Sequence, residues 1–243
     1  MNEKGTLPFG NTNIDFSVIR SSDRRKSISI FVDPYYGVYL RAPVKFSKEK
    51  IMSLLLRKAA WIIQKQKIIK TAHLLNPPKE FVSGETFLYR GRQCRLKVEY
   101  GCRRKDAGVK LKNSRFLFSS ASDSHNLRAI KNTLTAWYKD KAEIFLNDRV
   151  RHYSSKCGFE KAKVIIANQT SRWGSCNRQG ELRFNWRIIM APKPLIDYVV
   201  VHELCHLKHR NHSDAFWKEV GTILPNYETL RARLKKEGFA YNF

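Results

Sequence analysis

The sequence contains no apolar run that approaches the roughly 18 consecutive residues needed for a transmembrane helix. The segment Met1–Phe9 lacks the charged-then-apolar pattern of a signal peptide, so we expect no export and no membrane partner. The five cysteines form no C-x-x-C pair. This spacing argues against a zinc ribbon and against a disulfide framework, and it predicts reduced thiols in a cytoplasmic protein.

Acidic residues are scarce as well. The chain has 21 Asp and Glu against 46 Lys and Arg, which gives a formal net charge of +25. A positive field of this size suits polyanionic partners such as nucleic acid or nucleotides. However, the tightest basic cluster, Arg103-Arg104-Lys105, is only three residues long. A solvated basic surface that aids solubility explains the charge equally well.

Hydrophobic periodicity predicts a β-rich N-terminal part that contains one helix. Alternating apolar residues predict strands at 14–18, 28–32, 38–40, 87–89, 94–100, 109–111 and 116–118. The helix begins after Ser47 and fades after Ile69, where the apolar residues lose their helical spacing. Asn76-Pro77-Pro78 marks a break. We find no internal sequence repeat.

The rest of the chain is dominated by helical spacing. The pattern predicts a long amphipathic helix at 125–151, strands at 164–166 and 182–186, a helix opened by Pro192 or Pro194, and helices at 214–223 and 229–237. The chain is therefore predicted to be an α+β protein. Its β-rich region spans residues 1–122, and a helical domain with a short sheet spans residues 123–243.

An H-E-x-x-H sequence, formed by His202, Glu203 and His206, lies in the helix after Pro194. Histidines four residues apart share one helix face, so both imidazoles can reach a single ion. Glu203 would then face water bound to the metal, as a general base does. The apolar residues before the motif indicate a buried helix. A glutamate in such a helix is costly to bury unless it has a polar partner. These residues predict a hydrolase with one zinc ion per chain.

Spacing alone leaves the third metal ligand open. His209 lies about 10 Å along the helix axis from His202, which is too far for both to share an ion with His206. His212 fits if the chain turns sharply after the motif, and its distance matches the metzincin pattern although the glycine of that pattern is absent. A carboxylate on a following helix, from Glu219 or Glu228, is the alternative.

A second polar segment, Arg172-Trp173-Gly174-Ser175-Cys176, precedes the strand at 182–186. We interpret its tryptophan, glycine and cysteine as structural residues, with the glycine allowing a turn. Arg172 is either structural or binds a substrate carboxylate or phosphate. Arg172 and Tyr227 are also candidate donors to a developing oxyanion.

These residues resemble the YgjP-like family of zinc metallopeptidases, compact zincins related to the SprT-like and WLM proteases. The resemblance rests on the two motif segments, Asn185, Asn211-His212-Ser213 and Phe216-Trp217, and more loosely on Arg24-Arg25, Gly37-Val38 and Trp61. It is tight over residues 164–235. It implies that residues 123–243 form a zincin-like domain, that His202, His206 and His212 bind zinc, and that Glu203 is the catalytic base.

Three functions fit the sequence. The leading prediction is a zinc metallopeptidase that cleaves proteins or peptides. The second is a nucleotide phosphohydrolase (a pyrophosphatase), in which activated water attacks phosphorus and the basic surface steers the anion. The third is a nucleic-acid-associated protein with a structural zinc. It is the weakest, because structural zinc sites usually have four protein ligands and would leave Glu203 superfluous.

Overall fold

The computed structural model describes residues 2–22, 27–33, 36–75, 77–122, 124–169 and 172–243. Arg24-Arg25, which contributes to the family resemblance, lies outside these ranges. Strands and helices both contribute large parts of the chain, which confirms the predicted α+β class. No described helix combines the length and the apolar character that a bilayer crossing requires. The chain forms two compact units, Met1–Pro78 and Lys79–Phe243.

The division between these units differs from the predicted boundary at residue 122. The strands between residues 79 and 122 belong to the second unit. Phe87, Leu96 and Phe116 from these strands lie in the same buried cluster as Leu134 and Leu146 from the helix that follows. Alternation along a strand shows that one face is buried but not which part of the chain covers it. Periodicity alone therefore did not show that these strands pack with the helix that follows them.

The first unit is one sheet covered by one helix. It contains β1 (Asn2–Phe9), β2 (Thr12–Ser21), β3 (Ser29–Asp33), β4 (Gly37–Pro43) and α1 (Lys48–Leu75). The strand order is β1-β2-β4-β3, with β2 and β4 parallel and the outer pairs antiparallel. Ile14, Phe16 and Leu40 line one face of the sheet and share a core with Ile51 and Leu55 of the helix. Alternation in the strands and four-residue spacing in the helix direct these side chains inward.

The second unit begins with the same arrangement. It contains β5 (Thr86–Tyr89), β6 (Arg92–Glu99), β7 (Gly108–Lys112), β8 (Arg115–Ser119) and α2 (Leu127–Cys157), with the strand order β5-β6-β8-β7. The Asn126 side chain accepts a hydrogen bond from the backbone N–H of Ala129 and caps the start of α2. Gly158 ends the helix with φ 66°, a left-handed conformation that glycine adopts without strain.

The two ββββα segments match in register as well as in order. The first hairpins close at Phe9↔Thr12 and Tyr89↔Arg92, the parallel strands pair at Phe16↔Val38 and Leu96↔Phe116, and the second hairpins close at Asp33↔Gly37 and Lys112↔Arg115. The fold therefore contains an internal repeat that the sequence does not reveal. Matched core positions share only their apolar character, because a sheet face constrains burial more strongly than residue identity.

The remainder of the second unit carries the motif residues. It contains β9 (Val164–Ala167), β10 (Gly174–Cys176), β11 (Leu182–Asn185), a 3-10 helix (Trp186–Met190), α3 (Lys193–Cys205), α4 (Asp214–Ile223) and α5 (Tyr227–Glu237). The strand order is β10-β11-β9, so β10 is an edge strand. The helix α3 is almost wholly buried, which fits its continuous apolar run before the motif. Neither β1 nor β10 was predicted from the sequence.

Candidate metal centre

Three histidines converge at the end of α3. His202 lies in the last turn of this helix, His206 is its C-terminal capping residue, and His212 comes from the loop before α4. One potential ligand atom from each histidine lies within 4.8 Å of the other two. The Nε2 atoms of His202 and His212 are 3.1 Å apart. The structure thus brings together the two motif histidines and the histidine that the resemblance implied as the third ligand.

The distances fit a zinc ion. Zinc–nitrogen bonds of about 2.0–2.1 Å in tetrahedral geometry place neighbouring ligand nitrogens about 3.3 Å apart. The 3.1 Å between the Nε2 atoms of His202 and His212 is close to that value. Three imidazoles also form the kind of ligand set that leaves a fourth position for water or substrate in catalytic zinc sites.

The ring of His206 is held by its second nitrogen. Its Nδ1 lies 2.9 Å from the backbone carbonyl oxygen of His209. Since a carbonyl oxygen only accepts, Nδ1 carries the proton and donates it, which leaves the lone pair on Nε2 free for a metal. This second bond fixes both the tautomer and the orientation of the ring.

The competing ligands have other partners. The Nε2 of His209 lies 2.6 Å from Oε2 of Glu219, and Nζ of Lys208 donates to Oε1 of the same carboxylate at 2.8 Å. Glu228 is exposed and accepts a hydrogen bond from the Tyr227 hydroxyl at 3.3 Å. His209 and Glu219 therefore bind each other instead of joining the histidine cluster.

Burial keeps the first motif histidine neutral. Desolvation lowers the pKa of His202 to about 3, with further lowering by His206, His212 and Arg231. The neutral imidazole is the form that binds metals. Its Nδ1 is buried and has no hydrogen-bond partner in the described part of the chain, so Nε2, which faces His212, is the nitrogen in position to bind an ion.

The side chain of Glu203 is buried and closely packed. Only 5% of its surface is exposed, and burial raises its pKa to about 8, while the positive charge of Arg172 acts in the opposite direction. A Cβ atom on Gly174 would lie 2.6 Å from both Cγ and Oε1 of Glu203. The backbone of β10 therefore passes directly against this carboxyl group, and only glycine leaves room for it. Gly174 was predicted from the sequence to allow a turn, whereas the structure places it in a strand.

Stacked aromatic rings surround the third histidine. The Trp217 ring stacks on His212 with the ring centroids 5.5 Å apart, and the Tyr227 ring stacks on Trp217 with the centroids 5.4 Å apart. Tyr227 is thus separated from His212 by one ring. Arg172 is exposed and acts on Glu203 through its charge.

Arg231 was not among the site residues predicted from the sequence. Its guanidinium lies 4.6 Å from the ring centroid of Trp217, and its charge lowers the pKa of both His202 and His212. This residue is one of several cations in α5. Its sequence neighbours therefore carried no signal that it would lie beside the histidine cluster.

A buried ion pair holds α3, the helix that carries His202, in place. Arg149 of α2 donates to Asp197 of α3 through Nε at 2.7 Å and Nη2 at 3.2 Å. Both side chains are buried, and Lys193 adds a second contact to Asp197 at 2.7 Å. Such a two-point contact fixes orientation as well as distance. It holds α3 against α2 little more than one turn before His202.

Comparison with known proteins gives one family match. The model of the YgjP-like family, described as a metallopeptidase domain, matches residues 26–237. No curated protein matches the chain.

Two solved structures are similar to part of the chain. The zymogen of abylysin from Pyrococcus abyssi is 22% identical, with a TM-score of 0.36 over 38% of this chain and 93% of that chain. The zymogen of jannalysin from Methanocaldococcus jannaschii is 19% identical, with a TM-score of 0.35 over 38% of this chain and 95% of that chain. Both are described as metallopeptidase zymogens. Likeness at this level carries no conclusion about the chemistry of this chain.

Proposed function

This chain belongs to the YgjP-like family of metallopeptidase domains, and we propose that it is a zinc-dependent metallopeptidase. In this proposal His202, His206 and His212 hold one zinc ion and Glu203 is the general base. The observation that carries it is the convergence of three imidazoles, whose ligand atoms lie within 4.8 Å of one another, together with the buried carboxyl group of Glu203, which directly follows His202 in α3. A purely structural zinc would not need that carboxyl group.

Bound zinc would supply a Lewis acid that polarises a carbonyl group and makes water more acidic. Glu203 would take a proton from the attacking water on a carboxylate oxygen and pass it to the leaving nitrogen. The β10 backbone against Glu203 fixes where that carboxylate can lie. Arg172 and Tyr227 are the proposed substrate contacts, with Arg172 close enough to act on Glu203 through its charge.

The edge strand favours a peptide substrate. β10 lies at the edge of its sheet, and its first residue, Gly174, touches Glu203. An extended peptide can add to such an edge through backbone hydrogen bonds. A peptide paired with β10 would run past the general base.

Two pairs of variants test this proposal. Glu203→Gln should retain zinc and reduce cleavage of a labelled unfolded protein by about 10²- to 10⁴-fold, while Glu228→Gln, which changes an exposed glutamate, should cleave at the wild-type rate. His212→Ala should lose zinc on dialysis, whereas Glu219→Gln should keep it. Full turnover by Glu203→Gln would refute the general base. Zinc retention by His212→Ala together with zinc loss by Glu219→Gln would refute the ligand set.

Arg231 supports a second candidate, a nucleotide phosphohydrolase. A guanidinium beside the histidine cluster suits a triphosphate, because arginine binds phosphate through two parallel hydrogen bonds. The same protein should then release pyrophosphate from nucleoside triphosphates, and Arg231→Gln should raise KM for the nucleotide. Peptide cleavage without nucleotide hydrolysis would exclude this candidate.

The five cysteines support a reducing compartment. All of them are free thiols, and persistent free thiols are typical of cytoplasmic proteins. We therefore infer a cytoplasmic location for this enzyme.

A further inference from the structure

The outward face of the second sheet carries a dense cluster of cations. Five exposed side chains on the three neighbouring strands β6, β8 and β7 form what we call the basic grid: Arg95, Lys97, Arg115, Lys110 and Lys112. They alternate along the strands with inward residues such as Leu96 and Phe116, which belong to the core. The grid is therefore held on a rigid surface.

The strand register places these charges in two rows. Arg95 pairs with Arg115, and Arg115 pairs with Lys112. In the next row Lys97 and Lys110 both pair with Leu117. Neighbouring strands lie about 4.8 Å apart, and alternate residues along one strand lie about 6.8 Å apart. The five charges therefore occupy an area of roughly 10 by 7 Å. Like charges that face each other directly across strands destabilise a sheet.

Little in the protein compensates this charge. Glu99 forms an ion pair with Lys97 at 2.6 Å, although the lysine side chain remains 57% exposed. Across the described ranges no carboxylate forms an ion pair with any of the other four cations. The charges therefore face solvent with a net excess.

The first sheet shows that the fold does not require such a face. The positions that match the grid and its central Leu117 by register carry no cation: Asp15, Ser17, Phe31, Asp33, Gly37 and Tyr39. Phe31 and Tyr39 stack on each other there, with ring centroids 4.9 Å apart. Where the second sheet has the opposed cations Arg95, Arg115 and Lys112, the first sheet has Asp15, Gly37 and Asp33 in the same topology. The basic grid is therefore a property of this surface and not of the architecture.

We propose that the basic grid binds the phosphate backbone of double-stranded nucleic acid. A regular array of fixed anions complements two rows of fixed cations, and the pI of about 10.1 would attract such a polymer over long range. The grid has no aromatic side chain on which unpaired bases could stack, which disfavours a single strand. Three members of the grid, Lys97, Lys112 and Arg115, also line a groove together with Asn113 and Leu117. Binding is expected to be independent of sequence, because phosphate contacts carry no base information.

An acidic polypeptide and an anionic membrane are the competing partners. Membrane attachment by charge is usually reinforced by apolar side chains that insert into the bilayer. The only apolar member of the two rows, Leu117, is half-buried. A flexible acidic peptide does not need cations in register. The array therefore favours duplex nucleic acid.

The test compares two triple variants of the full chain that lose the same charge. Arg95→Gln/Lys112→Gln/Arg115→Gln removes three grid cations, and Lys65→Gln/Lys67→Gln/Lys70→Gln removes three exposed cations from α1. Fluorescence anisotropy with a mixed-sequence duplex of about 20 base pairs, between 50 and 200 mM salt, gives the affinity and its salt slope. The grid variant should bind about 10-fold or more weakly, and its slope should fall by about 3, since each phosphate contact contributes roughly 0.9. The α1 variant should stay within about 3-fold of wild type.

A charge-preserving variant guards against loss of structure. Arg95→Lys/Arg115→Lys should bind duplex nearly as well as wild type, and all variants should keep wild-type peptide cleavage. Equal losses by the two triple variants would overturn the proposal. So would stronger grid-dependent binding of phosphatidylserine vesicles or of polyglutamate than of the duplex.

Discussion

The two ββββα segments share topology and register but differ in what their helices do. In the first unit, α1 contributes Ile51, Leu55, Ala59 and Ile62 to one small core under a single sheet. In the second, α2 covers its sheet and also packs against the 3-10 helix, α3 and β9. The Tyr138 hydroxyl of α2 donates to the carbonyl oxygen of Leu88 in β5 at 2.6 Å, so one helix joins the repeat to the candidate metal centre.

This difference shows how one architecture serves two roles. A helix with a single apolar stripe packs that stripe against one sheet and leaves its other faces in solvent. A helix that is buried on more than one side becomes the link between a sheet and further elements, as the buried pair of Arg149 with α3 illustrates. The comparison predicts that equivalent changes in the two units will have unequal effects on the proposed activity.

The largest difference is expected at two glycines in strands. Gly174→Ala would place Cβ 2.6 Å from Glu203, and Gly5→Ala in β1 would place it 2.7 Å from the Phe16 ring. A displacement of about 1 Å in a catalytic group can cost about 10²-fold in rate, so Gly174→Ala should lose activity on that scale while keeping zinc. Gly5→Ala should lower stability and leave kcat/KM unchanged. Equal activities of the two variants would show that contact with β10 does not position Glu203.

Breaking the buried ion pair should have the next largest effect. Arg149→Met removes the buried ion-pair partner of Asp197 and leaves the half-exposed Lys193 as its cation, and removal of one partner of a buried pair costs about 3–5 kcal/mol. Urea unfolding measures the loss. Arg149→Met/Asp197→Leu should recover most of it, because no uncompensated charge remains. A double variant no more stable than the single one would indicate that the pair acts through packing and not through charge.

Matched leucines in the two helices test whether the cores are independent. Leu55 of α1 and Leu134 of α2 are both fully buried. Replacing either with alanine should cost about 2–5 kcal/mol in the unit that contains it. We expect Leu134→Ala to lower zinc retention and activity at elevated temperature. Leu55→Ala should lower the stability of the first unit only, which hydrogen exchange of the amides in that unit would measure. A loss of zinc in this variant would contradict separate cores.

The smallest effect is expected from the exposed ion pair of the first unit. Arg20 donates to Glu3 at 3.0 Å, and this hydrogen bond is the main cause that lowers the pKa of the Glu3 carboxyl group. A carboxyl group whose pKa is lowered in the folded state stabilises that state at pH values above its ordinary pKa of 4.5, and this stabilisation is lost as the pH falls below that value. Glu3→Gln should therefore match wild type at low pH and differ slightly at neutral pH in thermal unfolding. A large difference at neutral pH would mean that the pair is not screened by solvent.

The sequence by itself determined the local structure and the motif. Alternation and helical spacing placed most strands and all five α-helices of the described ranges, because these patterns follow from backbone geometry within a few residues. The positions of His202, Glu203 and His206 on one helix follow from the same geometry. Spacing favoured His212 but left Glu219 and Glu228 as alternatives, and the family resemblance strengthened the preference for His212.

Tertiary structure decided everything that depends on residues distant in the chain. It placed Gly174 against Glu203, Arg231 over Trp217 and Glu219 beside His209. It also moved the boundary between compact units to Pro78 and revealed the repeat and the basic grid. These features arise from strand pairing and helix packing between segments that no local pattern connects. A charge or a glycine acquires its role from the neighbour that the fold brings to it.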